Sequence, residues 1–205
     1  MAIDPFGCDS IFVYKDNSIS AIGKTFDNDP NRYLVNDIAC DRIRQLSNSP
    51  DGIAPMDNSE DVVVLPTKST LLLVQEQIRM SNENQCEQGG HILSDGTITQ
   101  WDAGARYRQG TDRNSITPFK VNGVSHIKTI NVLSYWHIHP MIPGEPGFGQ
   151  AIPSIADIQW DTDMRKYCYR GTTFVCGGAN NDVTFYFGGK TIVTIPLSIL
   201  LEKTK

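Results

Sequence analysis

Apolar positions along the chain change their period several times, and each change marks an element. Ile11 to Tyr14 is a short apolar run of strand length. Ile19, Ile22 and Phe26 follow at helical spacing, which predicts a short helix over Ser18 to Phe26. Leu34, Ile38, Ile43 and Leu46 predict a second helix within Tyr33 to Leu46. Asn28-Asp29-Pro30 and Ser49-Pro50-Asp51-Gly52 are turn signals. Val62 to Leu65 reads as a strand that stops at Pro66. From Thr67 the pattern lengthens. Thr67 or Ser69 can cap a helix running to Met80, with Leu71, Leu72, Val74 and Ile78 as its stripe and the polar Asn82 to Gln85 as its end.

Beyond that helix the period shortens to two. Ile92 and Leu93, a Ser94-Asp95-Gly96 turn, then Ile98 and Trp101 predict a β-hairpin. Ile127 to Ile138 is a further strand. Ser154 to Met164 reads as a helix opened by a serine after Pro153. Tyr167 to Cys176, Val183 to Phe187 and Thr191 to Ile195 read as closing strands, joined by turns at Gly177-Gly178 and Gly188-Gly189. The class expected is α+β: a mostly antiparallel sheet with flanking helices over residues 67–205, preceded by a small αβ module over residues 1–66.

Composition narrows the function. The chain has 205 residues, 40% hydrophobic and 20% charged, as in an ordinary globular protein. A net charge of −5 without a Lys/Arg run argues against a nucleic-acid partner, and Arg106 to Arg113 reads as a solvated loop. The longest apolar stretch, Leu71 to Val74, is far short of the ~20 residues of a membrane span. The opening Met-Ala-Ile-Asp-Pro-Phe lacks the basic and apolar regions of a secretory signal and looks partly like a cloning scar. Five cysteines, at 8, 40, 86, 168 and 176, fit no disulfide framework or Cys-x-x-Cys zinc site. They are expected as small buried hydrophobes, although Cys168 and Cys176 could face each other on neighbouring strands.

The candidate chemistry lies at the end of the strand before Pro140. Residues two apart in a strand share a face, so His137 and His139 can aim at one point, while Trp136 points to the opposite face and into the core. If Ser154 caps its helix, Asp157 lies one turn on and can supply a third ligand. Two His and one Asp leave a position open, which is the mark of a catalytic zinc site. Such a site needs a base and an oxyanion donor. Glu87, before Gly89-Gly90, can be the base, with Glu83 and Glu76 as the next acids; the Ser154 hydroxyl can be the donor. Asp95 and Glu145 read as loop acids, and no partner spacing supports His91 or His126 as ligands.

Glu87, His137-Ile138-His139-Pro140 and Ser154-Ile155-Ala156-Asp157 resemble the motif of the JAB/MPN (JAMM) zinc metallopeptidases, over about residues 67–195. Glu87-Gln88-Gly89-Gly90 is closest to the JAB-type domains of bacterial polymorphic-toxin and Rhs-type proteins. The resemblance implies a cytidine-deaminase-like sheet and zinc held by His137, His139 and Asp157. It implies that Glu87 takes a proton from the attacking water and that Ser154 stabilises the tetrahedral intermediate. The spacer Met141 to Pro153 is longer than the family's usual one, and reads as either a flap over the cleft or a longer turn.

The N-terminal order of strand, helix, helix, strand resembles a LysM module, through Val13 to Phe26 and Val62 to Pro66. Here Asp16-Asn17 stands for that family's Gly-Asp turn. The resemblance implies glycan binding, which would hold a peptidase on peptidoglycan stem peptides as a bacterial cell-wall hydrolase or antibacterial effector. Delivery to the periplasm by a secretion or phage-tail apparatus, with an immunity or secretion partner, fits that reading; otherwise the protein would be cytoplasmic. The alternatives are an isopeptidase that removes ubiquitin or a ubiquitin-like tag, and a non-enzymatic module of a tail or secretion machine.

Overall fold

The computed structural model describes residues 11–24, 31–47, 56–101, 132–145, 147–166 and 168–204. Cys8, the turns at 28–30 and 49–52, Phe26, Arg106 to Arg113, His126, the strand residues 127–131, Pro146 and Tyr167 lie outside them. The fold is α+β, with two sheets and four helices among the described residues.

The first sheet takes the order β2-β1-β3-β4 from strands β1 (Ile11–Lys15), β2 (Ser18–Gly23), β3 (Tyr33–Val35) and β4 (Val62–Val64). Asp16 and Asn17 join β1 to β2 at φ 52° and 57°. Both residues tolerate that left-handed region, which a two-residue hairpin requires. Helix α1 (Cys40–Ser47) packs Ile43 and Cys40 on one face of this sheet.

Two helices expected here are corrected. Ser18 onward is strand β2, because both faces of this sheet are buried. Ile19 joins Phe12, Leu34 and Val63 on one face, and Ile22 joins Ile11, Val13 and Tyr33 on the other. A three-residue spacing therefore arises from a strand covered on both sides. Tyr33, Leu34 and Val35 are likewise fully buried as β3, and the helix starts only at Cys40. Asn36 ends the strand: its side-chain oxygen accepts from Ala39 N at 2.8 Å, a turn that competes with continued extension. Ile38 and Leu46, expected in a buried stripe, are exposed. The strand, helix, helix, strand order behind the LysM resemblance is not found among the described residues.

The second sheet has six strands in the order β10-β9-β8-β7-β5-β6. Helix α2 (Lys68–Asn84) leads into β5 (Gln88–Leu93) and β6 (Ile98–Gln100), the expected hairpin, and then β7 (Val132–His139). Helix α3 (Ile155–Arg165) crosses from β7 to β8 (Thr172–Gly177), and β9 (Asp182–Phe187), β10 (Lys190–Pro196) and α4 (Leu197–Lys203) complete the chain. Helix α4 is an element that the apolar pattern does not predict. Within this six-stranded sheet only β7 and β8 are parallel; its other pairings are antiparallel. A parallel pair needs a crossover, and α3 is that crossover.

One face of this sheet packs Trp136, Ile138, Phe174, Cys176, Val183 and Phe185 against α2 and α4. The same apolar cluster takes in Phe12, Ile19, Leu34 and Val63 of the first sheet, so the chain on either side of Pro66 shares one core. Asn58 adds a polar link, accepting from Val64 N at 2.7 Å and from the Thr172 hydroxyl at 2.5 Å. The opposite face carries Tyr135, His137 and His139 and is crossed by α3. Among the cysteines, Cys40, Cys86 and Cys176 are buried thiols as expected, but Cys168 is exposed, at φ 64° in the turn after α3.

Candidate metal centre

Alternation along β7 sends Trp136 and Ile138 into the core, both fully buried, and leaves His137 and His139 together on the α3 side. The crossover then brings the first turn of α3 to the end of β7. Ser154 caps the helix: its Oγ accepts from Asp157 N at 3.2 Å, and its own N–H donates to Asp157 Oδ2 at 2.6 Å. This reciprocal pair is a capping box, with Asp in the place more often held by Glu or Gln. It satisfies two N–H groups that a helix start would otherwise leave unpaired. It also fixes the Asp157 carboxylate with its remaining lone pairs turned towards the histidines.

The ring nitrogens of two histidines and both oxygens of one carboxylate converge there. His137 Nε2 lies 3.3 Å from Asp157 Oδ1, His139 Nε2 lies 3.4 Å from Asp157 Oδ2, and the two Nε2 atoms are 3.2 Å apart. Zinc bonds of about 2.0–2.1 Å in a tetrahedron hold ligand atoms about 3.3–3.4 Å apart. The separations are of that size, with each carboxylate oxygen of Asp157 facing one histidine. His137, His139 and Asp157 could hold a metal ion, and they are the one such group among the described residues.

The tautomer of His139 suits this role. Its Nδ1 lies 3.1 Å from the carbonyl oxygen of Gln150, which can only accept. The proton therefore sits on Nδ1, and Nε2 presents its lone pair. Burial opposes charge on Asp157, but His137 and His139 overcome it and hold the carboxyl far below the usual carboxylate range. For His137, burial favours the neutral ring; Asp157, with a further contribution from Glu87, outweighs it and raises the pKa.

The segment between Pro140 and Ser154 works as a strap. Gly149 O accepts from Ala179 N at 2.8 Å, Gln150 O from His139, and Ala151 O from the Thr184 hydroxyl. Ala151 and Ile142 are buried. The start of the segment is clamped by Asn82 on α2, whose Oδ1 accepts from Met141 N and whose Nδ2 donates to Gly178 O, each at 2.8 Å. A Cβ on Gly178 would lie 2.2 Å from Asn82 Oδ1, so the clamp requires glycine. Of the two expectations, the longer turn describes the outcome better than a flap.

Glu87 lies just before β5, where Gly89 faces His137 across the ladder. Its carboxylate acts on His137 but is not one of the grouped ligands. Gln85, in the left-handed region at φ 52°, ends α2 and turns the chain towards this point. Glu76 and Glu83 pair instead with Arg79 on the exposed side of α2. His91 is buried among Trp101 and Tyr135 and accepts from Trp101 Nε1 at 3.2 Å. Asp95 accepts from Thr97 N in the hairpin turn.

Several residues around the site were not singled out in the sequence. Asp161 and Arg165 follow Asp157 at four-residue spacing, a signal that was available. Tyr186 is buried within electrostatic reach of both Asp157 and Asp161, and burial pushes its phenol well above its ordinary pKa. The Gln150 contact is made by backbone and left no signal in residue types. No family model, curated protein or solved structure matches the chain. The class of site rests on geometry: a two-histidine, one-carboxylate centre at the junction of a strand end and a helix start.

Proposed function

We propose that the protein is a zinc-dependent peptidase of the JAB/MPN type, hydrolysing an amide bond at His137, His139 and Asp157. The observation that carries this is the convergence of the His137 and His139 Nε2 atoms on each other and on the Asp157 carboxylate, at 3.2–3.4 Å. Three protein ligands leave a position open, and zinc bound there would act as a Lewis acid and bring the pKa of water down towards ~7. His139, proton fixed on Nδ1, and Asp157, locked by Ser154, need little rearrangement to bind. Glu87 takes a proton from the attacking water as its oxygen bonds to the carbonyl carbon. It returns that proton to the nitrogen as the C–N bond breaks. The Ser154 oxygen already accepts from Asp157 N, so its own proton is available to the oxygen of the attacked carbonyl.

Peptidoglycan stem peptides and isopeptide-linked ubiquitin-like tags present the same bond class. The first sheet shares its core with the second, and the helix pair expected of a glycan-binding repeat is not found among the described residues, so the motif alone supports the peptidoglycan reading. The test is to incubate zinc-loaded protein with purified muropeptides and with di-ubiquitin, beside Glu87→Ala. Newly freed amino groups from one substrate are expected with the wild type. Glu87→Ala is expected to keep its zinc and turn over about 10²–10⁴-fold more slowly. Bound zinc with neither substrate cut would favour a non-enzymatic module, and full activity in Glu87→Ala would remove Glu87 as the base.

A further inference from the structure

Helix α3 carries a metal ligand, yet only Asp161 and Met164 of its eleven residues are buried. Met164 enters the aromatic cluster of Tyr135 and Tyr169. The other anchor is a carboxylate with no exposed surface. Asp161 Oδ1 accepts from the Thr173 hydroxyl on β8 at 2.6 Å and from Arg165 Nη2 at 2.9 Å, and Oδ2 accepts from Gly189 N at 3.3 Å. Arg165 Nη2 also donates to Gly171 O at 3.1 Å, and its guanidinium lies 3.4 Å from the centre of the Phe187 ring. One side chain thus ties α3 to β8, to the β9–β10 turn and, through Arg165, to the start of β8.

Asp157, Asp161 and Arg165 recur every four residues and share one face of the helix. Asp161 sits about 6 Å along the axis from Asp157. Apolar contact is tolerant of small rotations, whereas bonds to a hydroxyl, an amide and a guanidinium fix both the height and the rotation of a helix.

We propose that Asp161, with Arg165, is a positioning residue for the metal centre: it sets α3 on the sheet so that Asp157 completes the ligand set with His137 and His139. This rests on the metal-binding reading and adds a role for a carboxylate that never touches the ion. Outer partners of metal ligands are worth about 10–100-fold in affinity, and Asp161→Asn is expected to weaken binding by that factor.

The test is a Co²⁺ titration followed by visible absorption, with hydrogen exchange of α3 measured on the metal-free protein. Asp161→Asn takes the carboxylate charge away from the half-buried Arg165 guanidinium. Asp161→Asn/Arg165→Met removes the guanidinium as well, so that no charge is left facing a neutral partner. The wild type is expected to bind one Co²⁺ with the intense bands of four-coordination. Both variants are expected to bind about 10–100-fold more weakly, with altered bands and faster exchange in the first turn of α3, even where the double variant regains the wild-type Tm. If either variant is too unstable, Thr173→Val removes one bond to Asp161 and should shift affinity in the same direction. Wild-type affinity and spectrum in a folded variant would overturn the positioning role. A wild type that takes up no Co²⁺ would instead overturn the metal centre, and the positioning role with it.

Discussion

Helices α2 and α3 are both capped by a hydroxyl residue and both cover the six-stranded sheet, but they are held in opposite ways. α2 buries Leu71, Val74 and Ile78 in the main core, with Thr70, Gln77 and Ser81 beside them. α3 buries one methionine and one aspartate. Apolar burial stabilises in proportion to area and fixes orientation loosely. A network of directed bonds adds less net stability but fixes position. The helix that serves the fold is held by area, and the helix that serves the site is held by geometry.

The strongest way to break this contrast is to empty the apolar side. Leu71→Ala should cost about 2–5 kcal/mol of unfolding free energy, measured by urea denaturation, because it leaves a cavity in a closed cluster. Metal affinity of the molecules still folded should not change. A large loss of affinity in that variant would mean that α2 also sets the site.

The caps sharpen the contrast at smaller scale. Thr67→Ala in α2 and Ser154→Ala in α3 each remove one capping bond and should lower stability by about 0.5–2 kcal/mol. Only Ser154→Ala should also weaken metal binding, because the lost hydroxyl holds the Asp157 main chain in the first turn of α3, although alanine keeps the N–H that donates to Asp157 Oδ2. Equal metal affinity in the two variants would detach the cap from the site.

The smallest effect is one of pH. Metal-free, His137 has a raised pKa, so its contribution to stability is full below its unfolded value of ~6.5 and lost as pH rises through the folded value. Asp157 has a lowered pKa, so its contribution is present above ~3.9 and lost as pH falls through the folded value. The metal-free form is therefore favoured most between about pH 4 and 6.5. Metal must displace the His137 proton, so the rise in Tm on loading should be larger at about pH 8 than at about pH 5.5. Differential scanning calorimetry at the two values checks the sign, and the reverse order would contradict the pairing.

Much of this was legible in the sequence, and the reason differs by region. The His-x-His pair, Ser154 and Asp157 could be placed because strand alternation and a helix cap are local rules that fix where a side chain points. The α+β class followed from periodicity in the second sheet, where Ile92, Ile98 and the β7 alternation are clear. The first sheet misled because Ile19 and Ile22 serve two different cores, and a strand buried on both faces loses its period of two. The Gln150 carbonyl and the Asn82 clamp stayed hidden because they depend on backbone atoms brought together by tertiary structure.

The reading of the site stands or falls on whether His137, His139 and Asp157 together hold one metal ion. Equilibrium dialysis against zinc, with metal content measured per chain for the wild type and for Asp157→Ala, tests it most directly. One zinc per wild-type chain is expected, with a loss of at least tenfold in affinity when the carboxylate is removed. A wild type without zinc, or an Asp157→Ala protein that binds as tightly as the wild type, would contradict it.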